Sequence, residues 1–363
     1  MHISDRVRQR NNSFTLIRFL AAYAVLYVHS YGLALGKPGR DVATQWVKSW
    51  WGQSLGELAV MIFFVISGFL VGGSYIHRAS PVAFAEARLL RIFPALFAAV
   101  VLSVFVVGWY ATTMGKQDFL FHPQVWSYVG KNLWLLDGIQ YRLPGVFEHN
   151  PRTAAVNGSL WTLPIELYMY IMVFALGIAG ILKKRWAFNL FFVLLLCFVL
   201  GLNQGWFNLS HPYMKHHDLV LAYATGVFFY VNREYISLRL SWVVVVLLIM
   251  IVLRDSFLWV PVKILGLGYL LMTVALHPSL QLPSMDALGD FSYGVYVYAF
   301  PVQQLIVQDV SRSPTQVLIL STMIVLPLAA ISWFLLEKPA LRLKGRLLPG
   351  RKWFDPRVES NKQ

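Results

Sequence analysis

Charged side chains are scarce in this chain. Asp, Glu, Lys and Arg make up only 13% of the 363 residues, whereas 57% are hydrophobic. The long apolar runs that result exclude an ordinary soluble domain and place the chain among membrane proteins. The only cysteine, Cys197, lies in such a run, so no intramolecular disulfide forms and the thiol is expected to be a small buried hydrophobe. A glycine-rich phosphate loop, an internal repeat and a low-complexity tract are missing as well.

The apolar runs that are present predict helices. They are about 20 residues long, the length of a membrane-spanning helix, and they lack the alternating period of barrel strands. We therefore predict an all-α, polytopic membrane protein of about ten transmembrane helices. The predicted spans are roughly 14–36, 55–76, 92–113, 158–182, 187–203, 218–232, 241–254, 262–277, 290–309 and 314–336.

The distribution of basic residues predicts the orientation. Of the 31 Lys and Arg residues, 19 fall in the termini and the connections on one side of the predicted spans, and 11 fall on the other side. Because cytoplasmic loops carry the excess of positive charge, both termini are predicted to be cytoplasmic, in a multi-pass protein of the inner (cytoplasmic) membrane. The net charge of +14 then follows from orientation and from attraction to lipid head groups, so no nucleic-acid partner is predicted. The expected organisation is a membrane domain at 1–340 and a basic cytoplasmic tail at 341–363.

The first predicted span carries two ionisable residues, Arg18 and His29. Eleven residues complete three helical turns plus roughly 20°, so both side chains project from one face, about 16 Å apart along the axis. Ionisable residues inside a membrane are costly and indicate function. The structural alternatives are a histidine bonded to a helix carbonyl and an arginine paired with a carboxylate.

Arg88 and Arg91 precede the third predicted span. Ser80 and Pro81 have the pattern of an N-cap followed by proline at the first helical position, which predicts a short helix running up to Pro94. At a spacing of i, i+3 the two arginines share a face on the cytoplasmic side. Plain positive-inside anchoring is the alternative interpretation.

Glu166 enters the fourth predicted span from the outer side. It lies about 12 Å into a span that begins near Gly158, which is similar to the depth of His29 below the outer surface. We therefore predict that His29 and Glu166 share the outer leaflet, while Arg18, Arg88 and Arg91 lie toward the inner surface. A structural interhelical hydrogen bond is the alternative for Glu166.

Six sequence motifs appear in the order found in the acyltransferase-3 family of integral-membrane O-acyltransferases, which the chain resembles from about residue 14 to residue 340. They are Arg18 with His29, the run FFVISGFL from Phe63 to Leu70, Arg88-Leu-Leu-Arg91-Ile-Phe-Pro94, Ser159-Leu-Trp161-Thr-Leu-Pro-Ile-Glu166, Phe291-Ser292-Tyr293-Gly294-Val295-Tyr296 and Leu336-Glu337-Lys338-Pro339. The chain departs from the family at Ala299, where many members carry a histidine, and it is expected to lack the appended esterase-like domain of longer members.

The resemblance implies transfer of an acyl group, usually acetyl, from acyl-coenzyme A to a hydroxyl of a glycan, exopolysaccharide or glycolipid. It implies that His29 is the catalytic histidine with Arg18 as its companion, and that Arg88 and Arg91 bind the donor. We expect Glu166 to act beside His29, and Trp161 and Tyr293 to contact substrate. Acetyl-CoA is the expected co-substrate, and no metal is predicted.

Two mechanisms fit these residues. His29 acts as the general base on the acceptor hydroxyl, or the acyl group passes through a covalent intermediate. A different class of function, a transporter or flippase of lipid-linked saccharides, would use Arg18, His29 and Glu166 to line a translocation path.

Overall fold

The computed structural model describes residues 1–9, 12–78, 80–152, 154–206, 215–280 and 282–345. Within these ranges the chain is helical and contains no strand, only two isolated bridges, so the all-α prediction is confirmed for the described part. Most of the predicted tail, residues 346–363, lies outside the described residues. The α-helices are α1 (Ile3–Gln9), α2 (Phe14–Ala34), α3 (Val42–Trp51), α4 (Leu55–Arg78), α5 (Pro81–Val101), α6 (Trp109–Ala111), α7 (Lys116–Phe121), α8 (Pro123–Trp134), α9 (Leu163–Ile178), α10 (Arg185–Asn203), α11 (His217–Val231), α12 (Leu240–Val252), α13 (Trp259–Leu276), α14 (Ser292–Asp309), α15 (Pro314–Ser332) and α16 (Lys338–Arg342).

Seven helical segments in the described ranges are long and apolar enough to cross a membrane. Of the other three predicted spans, α11 and α12 are shorter apolar helices, and α14 is an 18-residue helix outside the seven. The protein is therefore a multi-pass membrane protein with at least seven candidate spans in the described part. Ten crossings remain a prediction.

The third predicted span is longer than expected. Ser80 caps the helix by accepting a hydrogen bond from the Ala83 amide at 3.4 Å, with Pro81 in the first turn, as the sequence predicts. The helix does not end at Pro94, however, but continues through it and through a π-helical stretch to Ala111. Arg88 and Arg91 consequently lie within one continuous helix rather than on a separate cytoplasmic one.

Helix α14 lies at the centre of the bundle. Fifteen of its eighteen residues are buried, and it packs against α2 and α15. Gln303 shows how closely α2 and α14 meet, because its amide donates to the Leu26 carbonyl and to the Ser30 hydroxyl, both at 2.8 Å. The central position of α14 matters for the site, since Tyr293, Tyr296 and Phe300 all lie on this helix.

Helices α4 and α11 touch backbone to backbone. The Ser67-Gly68 pair predicts such a close approach, and it is confirmed: a Cβ added at Gly68 would lie 1.9 Å from the Tyr223 carbonyl oxygen. A Cβ added at Gly226 would lie similarly close to the Val65 carbonyl oxygen. Small residues at a helix interface in a membrane protein permit this approach and the dispersion contacts that accompany it.

Gly68→Ala is therefore expected to force α4 and α11 apart and to lower the thermal midpoint of the detergent-solubilised protein by several degrees, because neither backbone can yield locally. The matched control is Gly130→Ala in α8, where a Cβ meets nothing within 4 Å and the midpoint is expected to stay the same or rise slightly. Equal midpoints for the two variants would contradict the packing described here.

The connections gather at two ends of the bundle. At one end Ile3 donates to the Ile236 carbonyl at 3.2 Å, Ser13 donates to the Ala275 carbonyl at 3.0 Å, and the Gly345 amide donates to Glu86 at 3.0 Å.

At the other end Lys263 donates to the Gln53 side chain at 3.0 Å, Gln304 donates to the Arg152 carbonyl at 3.1 Å, and Arg312 donates to the His149 carbonyl at 3.4 Å. The first end carries the connections predicted to be cytoplasmic, and the second carries those predicted to be outside.

Candidate active site

Two of the predicted arginines share one carboxylate. Arg18 Nη1 lies 2.5 Å and Arg91 Nη2 lies 2.6 Å from Oδ2 of Asp290, and Arg91 Nη1 lies 3.1 Å from Oε2 of Glu337. The side chains of Arg18, Arg91 and Asp290 are only 14–17% exposed, so these are partly desolvated ion pairs. The alternative that Arg18 pairs with a carboxylate is thus confirmed, with Asp290 as the partner. The pairs hold three segments distant in sequence together: the start of α2, the middle of α5 and the residues before α14.

Arg88 differs from these two arginines. It forms no ion pair with any residue that the structure describes, and its buried Nε has no hydrogen-bond partner. Its guanidinium instead lies 5.8 Å from the ring centre of Phe84 and 5.7 Å from that of Tyr170. Cation–π contacts of this kind leave the N–H groups of the guanidinium available for an anion.

A cavity of about 80 Å³ opens beside the arginines. Arg18, Arg88 and Arg91 line it together with Glu166 and Tyr293, so five of the seven predicted site residues meet here. Its lining on α4 runs from Val60 to Val71, which corresponds to about 16 Å along the helix axis. We call it the arginine cavity. It is elongated along the bundle, with the cationic residues toward the end predicted to be cytoplasmic.

Tyr293 and Glu166 hold fixed positions in this cavity. The Tyr293 hydroxyl donates to the Ile92 carbonyl at 3.0 Å, and its ring lies beneath the Arg91 guanidinium at 5.7 Å. Glu166 accepts a hydrogen bond of 2.5 Å from the Tyr170 hydroxyl, one turn further along α9. Among the described residues Glu166 makes no contact with His29, contrary to the expectation that the two act side by side. The expectation compared depths only, and a helix can present residues of equal depth to different faces.

A buried hydrogen bond closes the outer end of the arginine cavity. The Tyr296 and Thr162 hydroxyls lie 2.8 Å apart, and the Phe63 ring packs edge-on against Tyr296 at 6.0 Å. Tyr296 and Thr162 line the arginine cavity, whereas Phe300 and Trp161, their neighbours on α14 and in the turn before α9, line a second one. The two cavities therefore follow one another along the bundle.

The second cavity, which we call the outer cavity, has a volume of about 390 Å³. Tyr141, Arg142, Arg152, Trp161 and Phe300 line it, together with Ala155 and Gly158. Trp161, a predicted substrate contact, packs on the His216 ring with 4.6 Å between ring centres. Burial lowers the pKa of His216, so this imidazole is neutral near pH 7.

His29 lies next to the outer cavity and lines neither cavity. The edge of the Phe300 ring packs on the imidazole with 5.2 Å between centres, so Phe300 separates His29 from the outer cavity. Nδ1 of His29 is buried without a hydrogen-bond partner, and Arg152 is close enough to interact with the ring electrostatically. The alternative of a histidine bonded to a helix carbonyl finds no such bond in the described structure.

Sequence reasoning missed Asp290, Tyr296 and a role for Glu337. Asp290 directly precedes the motif Phe291-Ser292-Tyr293, and Glu337 lies within the motif Leu336-Glu337-Lys338-Pro339. The signal that could have found them is charge balance, since buried arginines need carboxylates and acids are rare in the apolar parts of this chain.

Helices long and apolar enough to span a membrane enclose a cavity lined by three arginines, and a buried histidine packs on Phe300 at the edge of a second cavity. The sequence comparisons name the class: a model of the family described as an acyltransferase domain matches residues 11–337, and the chain belongs to this acyltransferase-3 family. An O-acetyl transferase of Shigella phage Sf6 is 31% identical over 337 residues, covering 91% of this chain and 96% of the phage protein. Nodulation protein 10 of Rhizobium leguminosarum bv. viciae is 29% identical over 375 residues, covering 94% of this chain and 96% of that protein. No solved structure matches the chain. The protein is an acyltransferase.

Proposed function

We propose that this protein transfers an acyl group, in the first instance acetyl, from cytoplasmic acyl-coenzyme A to a hydroxyl of a surface glycan or glycolipid at the inner membrane. The observation that carries the proposal is the succession of two cavities along the bundle, the arginine cavity at one end and the outer cavity with His29 beside it at the other. Ten crossings with both termini in the cytoplasm would place the arginine cavity on the side where acyl-coenzyme A is found.

The arginine cavity fits the donor in chemistry and in shape. Coenzyme A carries phosphates, and guanidinium groups bind phosphate through charge-assisted hydrogen bonds. Arg88 supplies an unpaired guanidinium, while Arg18 and Arg91 are fixed in place by Asp290 and Glu337. The lining of the cavity extends about 16 Å along α4, which gives an elongated donor a path along the bundle axis.

His29 is the base that the reaction needs. An alcohol is too weakly acidic to attack a thioester unaided, and a histidine titrates near neutrality. In the direct route His29 accepts the hydroxyl proton, the sugar oxygen bonds to the acyl carbon, the carbon–sulfur bond breaks, and the thiolate leaves with the proton as coenzyme A. In the relay route an unprotonated ring nitrogen of His29 bonds to the acyl carbon, the carbon–sulfur bond breaks, and the thiolate of coenzyme A leaves. The sugar oxygen then bonds to the acyl carbon as the bond to the ring nitrogen breaks, and the imidazole receives the hydroxyl proton and passes it on to the thiolate or to water. Acetylated His29 in peptides from enzyme given acetyl-CoA without acceptor identifies the relay route, and unmodified His29 identifies the direct one.

Arg88→Gln is expected to raise the KM for acetyl-CoA by at least about tenfold with little change in kcat, because a hydrogen bond between charged groups worth roughly 1.5–3 kcal/mol is lost in the ground state and transition state alike. Initial rates over a range of acetyl-CoA concentrations give the KM and kcat of the variant and of the wild type. Arg239→Gln removes an exposed arginine from the same end of the bundle and should leave KM unchanged. An unaltered KM in Arg88→Gln would remove Arg88 from donor binding.

The function itself is tested in cells with and without the gene by mass spectrometry of every surface glycan and by the amount of glycan exported. We expect loss of O-acetyl groups from one glycan and unchanged export. Unchanged acylation with reduced export would favour the transporter alternative.

A further inference from the structure

The outer cavity is positively charged and has no acidic residue in its lining. Arg142 and Arg152 line it, and neither forms an ion pair within the described part of the chain. The arginine cavity is different, since Asp290 and Glu337 balance Arg18 and Arg91 there and Glu166 lines its wall. Two uncompensated guanidinium groups beside one concave site favour an anion.

The positive charge is not explained by membrane orientation. Arg142 and Arg152 belong to the long connection between α8 and α9, which lies at the end of the bundle predicted to be outside. The positive-inside rule concentrates basic residues on the opposite side. A role in binding therefore remains for these two arginines.

Both arginines stand on backbone that is held in place. The Arg152 carbonyl accepts a hydrogen bond of 3.1 Å from Gln304, a residue of the helix that also carries Phe300 and Tyr296. The Arg142 carbonyl accepts one of 3.3 Å from Gln124. Fixed backbone reduces the entropy that a ligand must overcome to order its site.

The remaining lining suits a sugar. Trp161 and Tyr141 offer aromatic faces with polar tips, on which the apolar face of a sugar ring can pack. A volume of about 390 Å³ lies in the range of small-molecule sites. Phe300 lines this cavity and packs on His29, so a bound hydroxyl would reach the base past the Phe300 ring.

From these observations we infer that the outer cavity selects a saccharide acceptor that carries a negative charge, with Arg142 and Arg152 holding the anionic group and Trp161 holding a sugar ring. The inference rests on the proposed function and adds the chemical class of the acceptor. The charge is a carboxylate on the sugar or the diphosphate of a lipid carrier, because both present oxygen anions to a guanidinium.

Three probes test the inference with the full-length protein in lipid nanodiscs: a galacturonate trisaccharide, a neutral galactose trisaccharide, and the neutral trisaccharide linked to a prenyl diphosphate. We expect kcat/KM for acetyl transfer to be about tenfold higher for one of the anionic probes than for the neutral one, as a charge-assisted contact of roughly 1.5 kcal/mol implies. Preference for galacturonate assigns the charge to the sugar, and preference for the prenyl diphosphate assigns it to the carrier.

Arg142→Gln and Arg152→Gln should abolish that preference. Arg40→Gln, an exposed arginine at the same end that does not line the cavity, should keep the preference. Raising the salt concentration should increase the KM for the anionic probe and leave that for the neutral probe alone, a readout that needs no variant. Equal kcat/KM for all three probes, or a preference that survives both substitutions, would overturn the inference while the proposed function stood.

Direct binding separates the two proposals. If no probe is acetylated, the dissociation constants of the probes are measured in the absence of acetyl-CoA. Tighter binding of an anionic probe that is lost in Arg152→Gln would support the charged site although the proposed function had failed. Equal dissociation constants for the charged and neutral probes would overturn the inference of a charged acceptor site.

Discussion

His29→Asn is expected to lower the rate of acetyl transfer by at least about 10²-fold, the usual contribution of a positioned general base. Asparagine keeps a polar side chain on α2 but cannot accept the acceptor proton. The imidazole packs on the Phe300 ring, and its Nδ1 has no hydrogen-bond partner in the described structure. Replacing the imidazole therefore removes little structural stabilisation. The expected signature is a loss in kcat with an unchanged KM for acetyl-CoA, since the donor cavity lies elsewhere along the bundle.

The control for this variant is His149→Gln, which alters an exposed histidine at the same end of the bundle. Its side chain lines neither cavity, so wild-type rates are expected. Full acetyl transfer by a folded His29→Asn protein would remove His29 from the chemistry in either route.

Asp290→Ala is expected to lower the free energy of unfolding by about 3 kcal/mol, because removal of one partner from a desolvated ion pair leaves uncompensated charge. Here one carboxylate serves both Arg18 and Arg91, and only Arg91 retains a second partner, Glu337. Asp290 also accepts a hydrogen bond of 2.5 Å from the Ser292 hydroxyl at the start of α14. The substitution should therefore loosen the junction of α2, α5 and α14 and raise the KM for acetyl-CoA.

Unfolding in mixed micelles of increasing SDS content measures the stability change. Asp290→Asn keeps the shape of the side chain and removes its charge, so a loss close to that of alanine assigns the effect to the ion pairs. Asp255→Ala, at an exposed aspartate, should leave stability unchanged. Wild-type stability in both Asp290 variants would show that the arginines do not depend on this carboxylate.

The sequence predicted the helices and the gathering of the arginines well, because both depend on local patterns. Apolar length defines spans, and the i, i+3 spacing of Arg88 and Arg91 puts them on one face of α5 that lines the cavity. The capping of α5 by Ser80 followed from residue type alone. Pro94 misled the prediction of the helix end, since a proline inside a packed membrane helix need not break it.

Contacts between distant segments were not predictable in this way. Asp290 is 272 residues from Arg18 and 199 from Arg91, and nothing local indicates that pairing. The separation of Glu166 from His29 has a similar origin, because depth in the membrane follows from residue number whereas the rotation of α9 follows from its packing against neighbouring helices. Thr162 and Tyr296 divide the two cavities through side chains that meet only in the folded bundle.

The central claim is that an acyl group passes from a donor in the arginine cavity to a hydroxyl in the outer cavity. The most direct measurement uses purified protein in liposomes, with acetyl-CoA on the face that carries the N-terminus and an acceptor saccharide on the opposite face. The account predicts free coenzyme A on the first face and one O-acetyl ester on the saccharide for each thiol released, with the saccharide remaining on its own side. Saccharide that crosses the bilayer without gaining an ester would contradict it.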